Sequence, residues 1–283
     1  MKTGIVFEGG AFRTVFSCGV MDSFLDEDIM PDYIIGVSAG AAYGTSYAAK
    51  QRGRDLNIIM NYSHDKRYMG FRNLINPKNR SYYGLDFAYN LVPNELVPFD
   101  YEAYSRFNGE YKVVVTNVLT GKPEYLPLTF DSRKSKLLQA TCALPLLFPF
   151  IYINDIPYMD GGLSDSIPYE KAFEDGCDKV VVVLTRQPGY NKITSHSTKR
   201  ITYLYRKYPE LVNDLLLRAE RYNASLDRLE ELENEGKVIV IRPTLTDGFG
   251  RLEKDFVKIQ ALYDDGIKKG SDIAADVKKF FRQ

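Results

Sequence analysis

The chain has 283 residues, 45% of them hydrophobic, which suits one large α/β domain, or a domain with an appendage, and sets disorder aside. Lys plus Arg and Asp plus Glu number 37 each, so no global field draws the chain to nucleic acid or to an anionic membrane. Any lipid contact must come from local surface.

The chain opens with a strand at Gly4 to Phe7 and reaches Glu8 before an apolar leader could form, which argues against a signal peptide. The small residues of Glu8-Gly9-Gly10-Ala11-Phe12-Arg13 then separate that strand from a helix at Arg13 to Asp26. Such a junction leaves successive backbone N–H groups exposed, which suits a phosphate or a developing oxyanion. A dinucleotide fingerprint is not met, because Ala11 and Thr14 stand where G-x-G-x-x-G requires glycine.

Next comes a short branched strand, Tyr33 to Val37, and an Ala-rich helix, Ala39 to Gln51, joined through Gly36-Val37-Ser38-Ala39-Gly40. A serine between glycines at a strand-to-helix turn has the form of a nucleophile elbow, with the helix N-terminus beneath the hydroxyl. The same pentapeptide also fits a helix N-cap in which Ser38 satisfies a first-turn amide. From Tyr62 to Asn108 no period is sustained, and Tyr68, Phe71, Tyr82, Tyr83, Phe87, Tyr89, Phe99, Tyr101, Tyr104 and Phe107 suggest a lid or binding surface over residues 62–108. Packing of those rings onto the core is the equal alternative.

Strands follow at Lys112 to Asn117, Glu124 to Leu128 and Phe150 to Ile153, with an Asn154-Asp155 turn leading into the Ile156 to Met159 run. Helices are read at Arg133 to Thr141 and Tyr169 to Asp175, and a strand at Lys179 to Leu184. Between them, Tyr158-Met159-Asp160-Gly161-Gly162 ends an apolar run on a carboxylate followed by two glycines, either a crowded site's acid or an Asp-Gly turn. With an ordinary pKa near 3.9, this aspartate needs direct contact with a hydroxyl in a partly desolvated pocket to act as a base. Arg186, beyond the strand end, reads as a surface charge, with a phosphate contact as the lesser alternative.

After Thr185 long charged helices are expected at Lys199 to Tyr208 and Glu210 to Asn234, with an apolar stripe of Leu211, Leu215, Leu226, Leu229 and Leu232. A strand at Lys237 to Arg242, a loop at Pro243 to Gly250 and a helix at Leu252 to Phe281, interrupted around Gly266 and Gly270, complete the chain. The two histidines, His64 and His196, fall in segments read as loops, away from any strand end where a general base is presented. Cys18, Cys142 and Cys177 show no C-x-x-C spacing, which argues against a disulfide framework or a zinc site and favours a reducing cytoplasm. No apolar run approaches the ~20 residues that span a bilayer, so the chain is expected to be soluble and cytoplasmic, at most peripheral to membranes.

Taken together, Glu8-Gly9-Gly10-Ala11-Phe12-Arg13, Gly36-Val37-Ser38-Ala39-Gly40, Ala140-Thr141-Cys142-Ala143-Leu144-Pro145 with Phe148-Pro149, and Asp160-Gly161-Gly162 resemble, in order and spacing, the patatin-like phospholipases over residues 3 to 190. The tail resembles that of bacterial members with a helical C-terminal extension. The resemblance implies a three-layer α/β/α fold with a mostly parallel central sheet, an acyl hydrolase domain over 1–190 and a mainly helical extension over 191–283. It also implies a Ser-Asp dyad of Ser38 and Asp160 acting through an acyl-enzyme, with Gly9, Gly10 and Ala11 as the oxyanion loop and Arg13, Gly36, Gly40, Gly161 and Gly162 supporting it. A lipid or acyl-ester substrate follows, with no metal or organic cofactor and no nucleic-acid partner. The departure from a glycine-rich loop at Ala11 predicts strain if that position requires φ > 0. Two rivals stand beside this reading: a carboxylesterase or thioesterase for soluble acyl groups, and a low-activity binding module that keeps the hydrolase shell.

Overall fold

The computed structural model describes residues 1–131, 133–194, 196–244 and 246–282, with the side chains of residues 196, 197, 199 and 200 outside the description. Its centre is a sheet of eight strands: β1 (Thr3–Phe7), β2 (Tyr33–Val37), β3 (Glu110–Asn117), β4 (Pro123–Pro127), β5 (Ile151–Ile153), β6 (Ile156–Asp160), β7 (Lys179–Val183) and β8 (Val238–Ile241). The order β3-β2-β1-β7-β8 is parallel throughout, and β4, β5 and β6 join antiparallel around β3. Ile5 to Phe7 of β1 and Val180 to Val183 of β7 are apolar on both faces and fully buried, as parallel strands covered on both sides must be.

On one face Ile5, Phe7, Ile34 and Val181 pack under α1 (Val15–Asp26), α2 (Ala39–Ala48) and α10 (Phe256–Phe280). On the other face Val6, Ile35, Val37 and Val182 meet α7 (Tyr169–Glu174) and α9 (Pro209–Asn234). The fold is therefore the expected α/β/α sandwich. Residues 191–283 are mainly helical and are joined to the sheet through β8, whose residues pair with β7 from Val180↔Val238 to Val183↔Ile241.

Several local expectations change. The first helix begins at Val15 after a 3-10 turn over Ala11–Thr14, and α6 is confined to Lys136–Thr141. Residues 62–108 carry short helices α4 (Phe71–Ile75) and α5 (Tyr101–Ser105) and a π-helical stretch, Phe87–Leu96, that contains Pro93. The wide π turn explains why no 3.6 period is visible there. α8 runs His196–Leu204, so His196 opens a helix instead of lying in a loop, and its side chain is among those outside the description.

Finally, α10 is unbroken at Gly266 and Gly270. A Cβ on Gly266 would stand 2.1 Å from the carbonyl oxygen of Phe16, and one on Gly19 would stand 2.2 Å from that of Tyr263. The glycines thus serve backbone contact between α1 and α10, which outweighs their cost of about 1 kcal/mol to helix propensity. Gly266→Val restores about half of that propensity but collides with a backbone oxygen, so overpacking, roughly 1–3 kcal/mol, should win. The urea midpoint is expected to fall at constant m-value; an unchanged midpoint would contradict this helix contact.

Candidate active site

β3 has two edges, and its pairings assign them. β4 pairs with Lys112 to Thr116 on one; on the other, β2 pairs with Glu110 to Val114 and β6 with Val115 to Asn117. β2 runs parallel to β3 and β6 antiparallel, so their C-terminal ends meet head to head. Val37 is opposite Val114 and Asp160 is opposite the next residue, Val115. Ser38, which follows Val37, is thereby delivered to Asp160, although the two are 122 positions apart in the sequence.

Ser38 has φ 53° and ψ −127°, a conformation costly for a residue with a side chain. Its N–H donates to Thr141 Oγ1 at 2.8 Å, and that hydroxyl donates to the carbonyl of Val114 at 2.6 Å. The Ser38 side chain makes no cap hydrogen bond to α2, which removes the N-cap alternative. The turn is possible because a Cβ on Gly36 would stand 2.5 Å from Ala41 Cα, and one on Gly40 2.5 Å from the Phe7 carbonyl oxygen. Strand, turn and helix touch through backbone atoms.

Asp160 is 2% exposed. Its Oδ1 accepts from Gly162 N–H at 2.8 Å, while its main chain is fixed by Ala143 O, 3.0 Å from Asp160 N, and by the Thr116 hydroxyl, 2.8 Å from Asp160 O. Burial raises the carboxyl above its ordinary range, against Arg218, the Ser38 hydroxyl, the Gly162 N–H and Arg251, which favour the charged form. Ser38 is close enough to exert that pull, yet Oδ2 is buried and has no hydrogen-bond partner. Contacts of this kind are often loose without substrate and tighten when it binds. The Cys142 thiol also adjoins Ser38; burial pushes it up to about 12, so it is protonated at neutral pH.

The loop after β1 runs beside the elbow. A Cβ on Gly9 would stand 2.8 Å from Ser38 Cβ, and Ala11 has φ 50°, so the strain expected at that alanine is present. Among the described residues, the amides of Gly9, Gly10 and Ala11 have no hydrogen-bond acceptor, whereas the next one, Phe12 N–H, donates to the Arg251 carbonyl at 3.2 Å. Three free donors therefore lie near one hydroxyl and one buried carboxylate, the set that acyl transfer requires.

Two cavities meet at Ser38. One, about 1100 Å³ including its opening to solvent, extends from Ala11 and Ser38 past Ala42, Tyr89 and Val92 to Phe99. Tyr68, Tyr83, Tyr89, Phe99 and Tyr101 of residues 62–108 line it, while Tyr104 and Phe107 pack onto the core. The other cavity is polar and holds Glu8, Arg13, Asp160, Arg186, Lys192 and Arg218. Arg186 is half-buried in its wall and not the surface charge its sequence position suggests. No histidine lines either cavity among the described residues; His64 is exposed, its ring 4.4 Å from that of Phe256.

Sequence reasoning misses Glu8, Thr141, Arg218 and Tyr222. The Glu8 carboxylate accepts from Thr185 N–H at 2.6 Å, Thr185 Oγ1 at 3.0 Å and Tyr222 OH at 2.8 Å, tying β1, the end of β7 and α9 together. Arg218 Nε donates to Gly162 O at 2.5 Å. A signal for the last two does exist: Arg218 and Tyr222 fill the gap between Leu215 and Leu226 in the apolar stripe of α9, where a charged group is out of place.

Comparison with known proteins gives a family model, Patatin-like phospholipase, over residues 5–173, and a second, Domain of unknown function (DUF6363), over 208–282. The Escherichia coli protein named Uncharacterized protein YjjU is 26% identical over 189 residues, 65% of this chain and 52% of its own length. Lysophospholipase NTE1 of Candida albicans is 24% identical over 97% of this chain and 20% of its length, and that of Saccharomyces cerevisiae 22% over 94% and 16%. The chain thus spans about half of the first relative and a fifth or less of the other two. The solved structure of VipD from Legionella pneumophila aligns with a TM-score of 0.43 at 13% identity, covering 96% of this chain and 67% of that one. Among the described residues no helix is long and apolar enough to cross a membrane.

Thr141→Val keeps the shape of the side chain but strands the Ser38 N–H and one acceptor site on the Val114 carbonyl in a buried place. We expect a loss of roughly 1–3 kcal/mol in urea unfolding; a variant as stable as the parent would show that Thr141 does not hold the elbow.

Proposed function

From the premise that this chain belongs to the patatin-like phospholipase family, we propose that it is a lipid acyl hydrolase of the phospholipase A or lysophospholipase type, with Ser38 as nucleophile and Asp160 as base. The observation that carries this reading is the meeting of the strained Ser38 turn with the buried, partnerless Oδ2 of Asp160. Asp160 takes the hydroxyl proton as Oγ attacks the ester carbonyl, and the amides of Gly9, Gly10 and Ala11 receive the negative charge on its oxygen. The proton then passes from Asp160 to the departing alkoxide. Water, losing its proton to the same carboxylate, attacks the acyl-enzyme, and the fatty acid leaves as Ser38 recovers its proton.

The lining of the larger cavity is mainly aromatic and aliphatic, with Arg54, Asp55 and Arg133 as its charged members, and this supports an acyl chain as its occupant, which favours lipids over the soluble esters and thioesters of the rival reading. Each methylene buried is worth about 0.8 kcal/mol, so kcat/KM for p-nitrophenyl esters should climb from butyrate to laurate. A preference for the shortest ester would favour the rival.

Ser38→Ala should abolish ester hydrolysis and labelling by a fluorophosphonate, and Asp160→Asn should cost roughly 10³- to 10⁴-fold in kcat. Strong labelling of the Ser38→Ala protein would reject the assignment. The base works only when ionised, and burial raises its pKa, so activity should be lost as pH falls through a midpoint above the usual carboxylate value of about 4. An acid limb at or below that value would contradict a buried carboxylate base. A low-activity binding module would instead leave every lipid ester intact.

A further inference from the structure

The polar cavity at Ser38 carries more positive charge than the proposed chemistry uses. Arg13, Arg186, Lys192, Arg218 and Arg251 line it, opposite only two carboxylates, Glu8 and Asp160. Among the described residues none of the five cations is in an ion pair. The two acids are engaged elsewhere: Glu8 by Thr185 and Tyr222, and Asp160 Oδ1 by Gly162.

The cations are instead held by rings and backbone. Lys192 Nζ lies 3.6 Å from the centroid of the Tyr222 ring, and the Arg186 guanidinium 4.2 Å from that of Tyr190. The main chain of Lys192 is fixed on both sides by Asn223, which accepts from its N–H at 2.8 Å and donates to its carbonyl at 3.0 Å. Arg13 is only 6% exposed, and its Nε is buried with no hydrogen-bond partner. A guanidinium N–H left unsatisfied inside a protein is costly, and the natural complement is an anion that enters from solvent. The electrostatics agree. Burial, followed by Arg186 and Arg251, lowers Arg13 to about 10, and burial, followed by Arg218, lowers Lys192; an entering anion opposes both shifts.

The charges come from outside the matched hydrolase segment. Apart from Arg13, the other four lie beyond residue 173, where the Patatin-like phospholipase model ends, and Arg218 and Arg251 lie within 208–282, the match to a domain of unknown function. We propose that this cavity is a phosphoryl-binding subsite, assembled on Arg13 by Arg186, Lys192 and the 208–282 segment, that receives the phosphate of an acylglycerol phosphate whose chain occupies the apolar cavity. Several guanidinium forks around one space suit the tetrahedral, multiply charged oxygens of phosphate. A phosphate monoester suits the excess of cations best, whereas a choline ester would bring a further cation into a cationic cavity.

The substrate part of this inference rests on the acyl hydrolase reading; anion binding does not. The test therefore has two arms. In the first, kcat/KM is measured for oleoylglycerol phosphate and for oleoylglycerol in the same detergent micelles, with the native protein, Arg251→Gln and Lys192→Met. Arg251 is exposed at the rim, so its replacement puts folding at little risk. A preference for the phosphate-bearing lipid of about tenfold or more is expected, shrinking several-fold in each variant. In the second arm, inorganic phosphate is titrated into the Ser38→Ala protein, alone and with Arg251→Gln or Lys192→Met, and followed by calorimetry and phosphorus NMR; it is also added as an inhibitor to the assays of the first arm.

Phosphate that binds, weakens with Arg251→Gln and competes only against oleoylglycerol phosphate upholds a lipid phosphate as the occupant. Binding that alters turnover of both lipids alike, with no preference between them, would identify free phosphate as the ligand and overturn the substrate assignment. If neither lipid is cleaved, the hydrolase reading fails, and phosphate binding that weakens in Arg251→Gln still upholds the subsite. Absence of binding together with equal turnover of the two lipids, or binding indifferent to Arg251→Gln and Lys192→Met, overturns it.

Discussion

The geometry of the candidate site depends on one constraint: β2 and β6 share a single edge of β3 and meet end to end. Both strands stop where they do because the edge is used up, and the residues at the stop are Ser38 and Asp160. The period of a strand is two, so a slip of one residue in the β6 register would turn Asp160 away from the elbow and bring a glycine or a methionine in its place. Val115 and Thr116 prevent that slip. They are also held from the other side by β4, and the Thr116 hydroxyl grips the Asp160 carbonyl directly. The strained backbone at Ser38 and Ala11 can then persist, since the Thr141 hydroxyl and the Arg251 carbonyl tether the amide of Ser38 and the amide following Ala11.

The C-terminal part of the chain is built into this arrangement. Tyr222 holds Glu8 beside the Gly9 to Ala11 loop, Arg218 holds Gly162 beside Asp160, and the Arg251 carbonyl holds Phe12. Three elements of the proposed site are each tied by one hydrogen bond to residues 208–282. The positive charge of Arg218 also opposes the effect of burial on Asp160, so the same helix that shapes the site tunes its acid. A segment cut at residue 173 would lack these ties, and it would also lack the α10 contact that covers α1.

The parts of the site legible in the sequence are those in which chemistry and backbone are coupled locally. Gly36 to Gly40 and Asp160 to Gly162 each announce a crowded turn, and there Gly36, Gly40 and Gly161 approach backbone atoms too closely for a side chain. Ala11 even announces its own strain. What escapes the sequence depends on long-range assembly. Arg218 and Tyr222 are ordinary helix residues until α9 is laid against the sheet, and Arg186 reads as surface until Tyr190 and Lys192 fold over beside it. The glycines of α10 give the wrong local signal, since helix propensity registers their cost but not the backbone of α1 that they admit. The π-helical stretch defeats any search for a 3.6 period, and its aromatic residues become interpretable only as a wall of the cavity.

A formal net charge of zero is compatible with a strongly charged site because electrostatic interactions in saline are local. Beyond a Debye length of about 8–10 Å exposed charges scarcely register, while groups gathered in a poorly hydrated cavity act on one another with little screening. In this chain five cations face two acids around one face of Ser38, and a mainly aromatic and aliphatic wall, with Arg54, Asp55 and Arg133 as its charged members, surrounds the other. A molecule with one apolar end and one anionic end can satisfy both faces only in a single orientation, and that orientation places its middle at the serine. Global composition excludes a steering field; the division of polarity across one residue supplies orientation in its place.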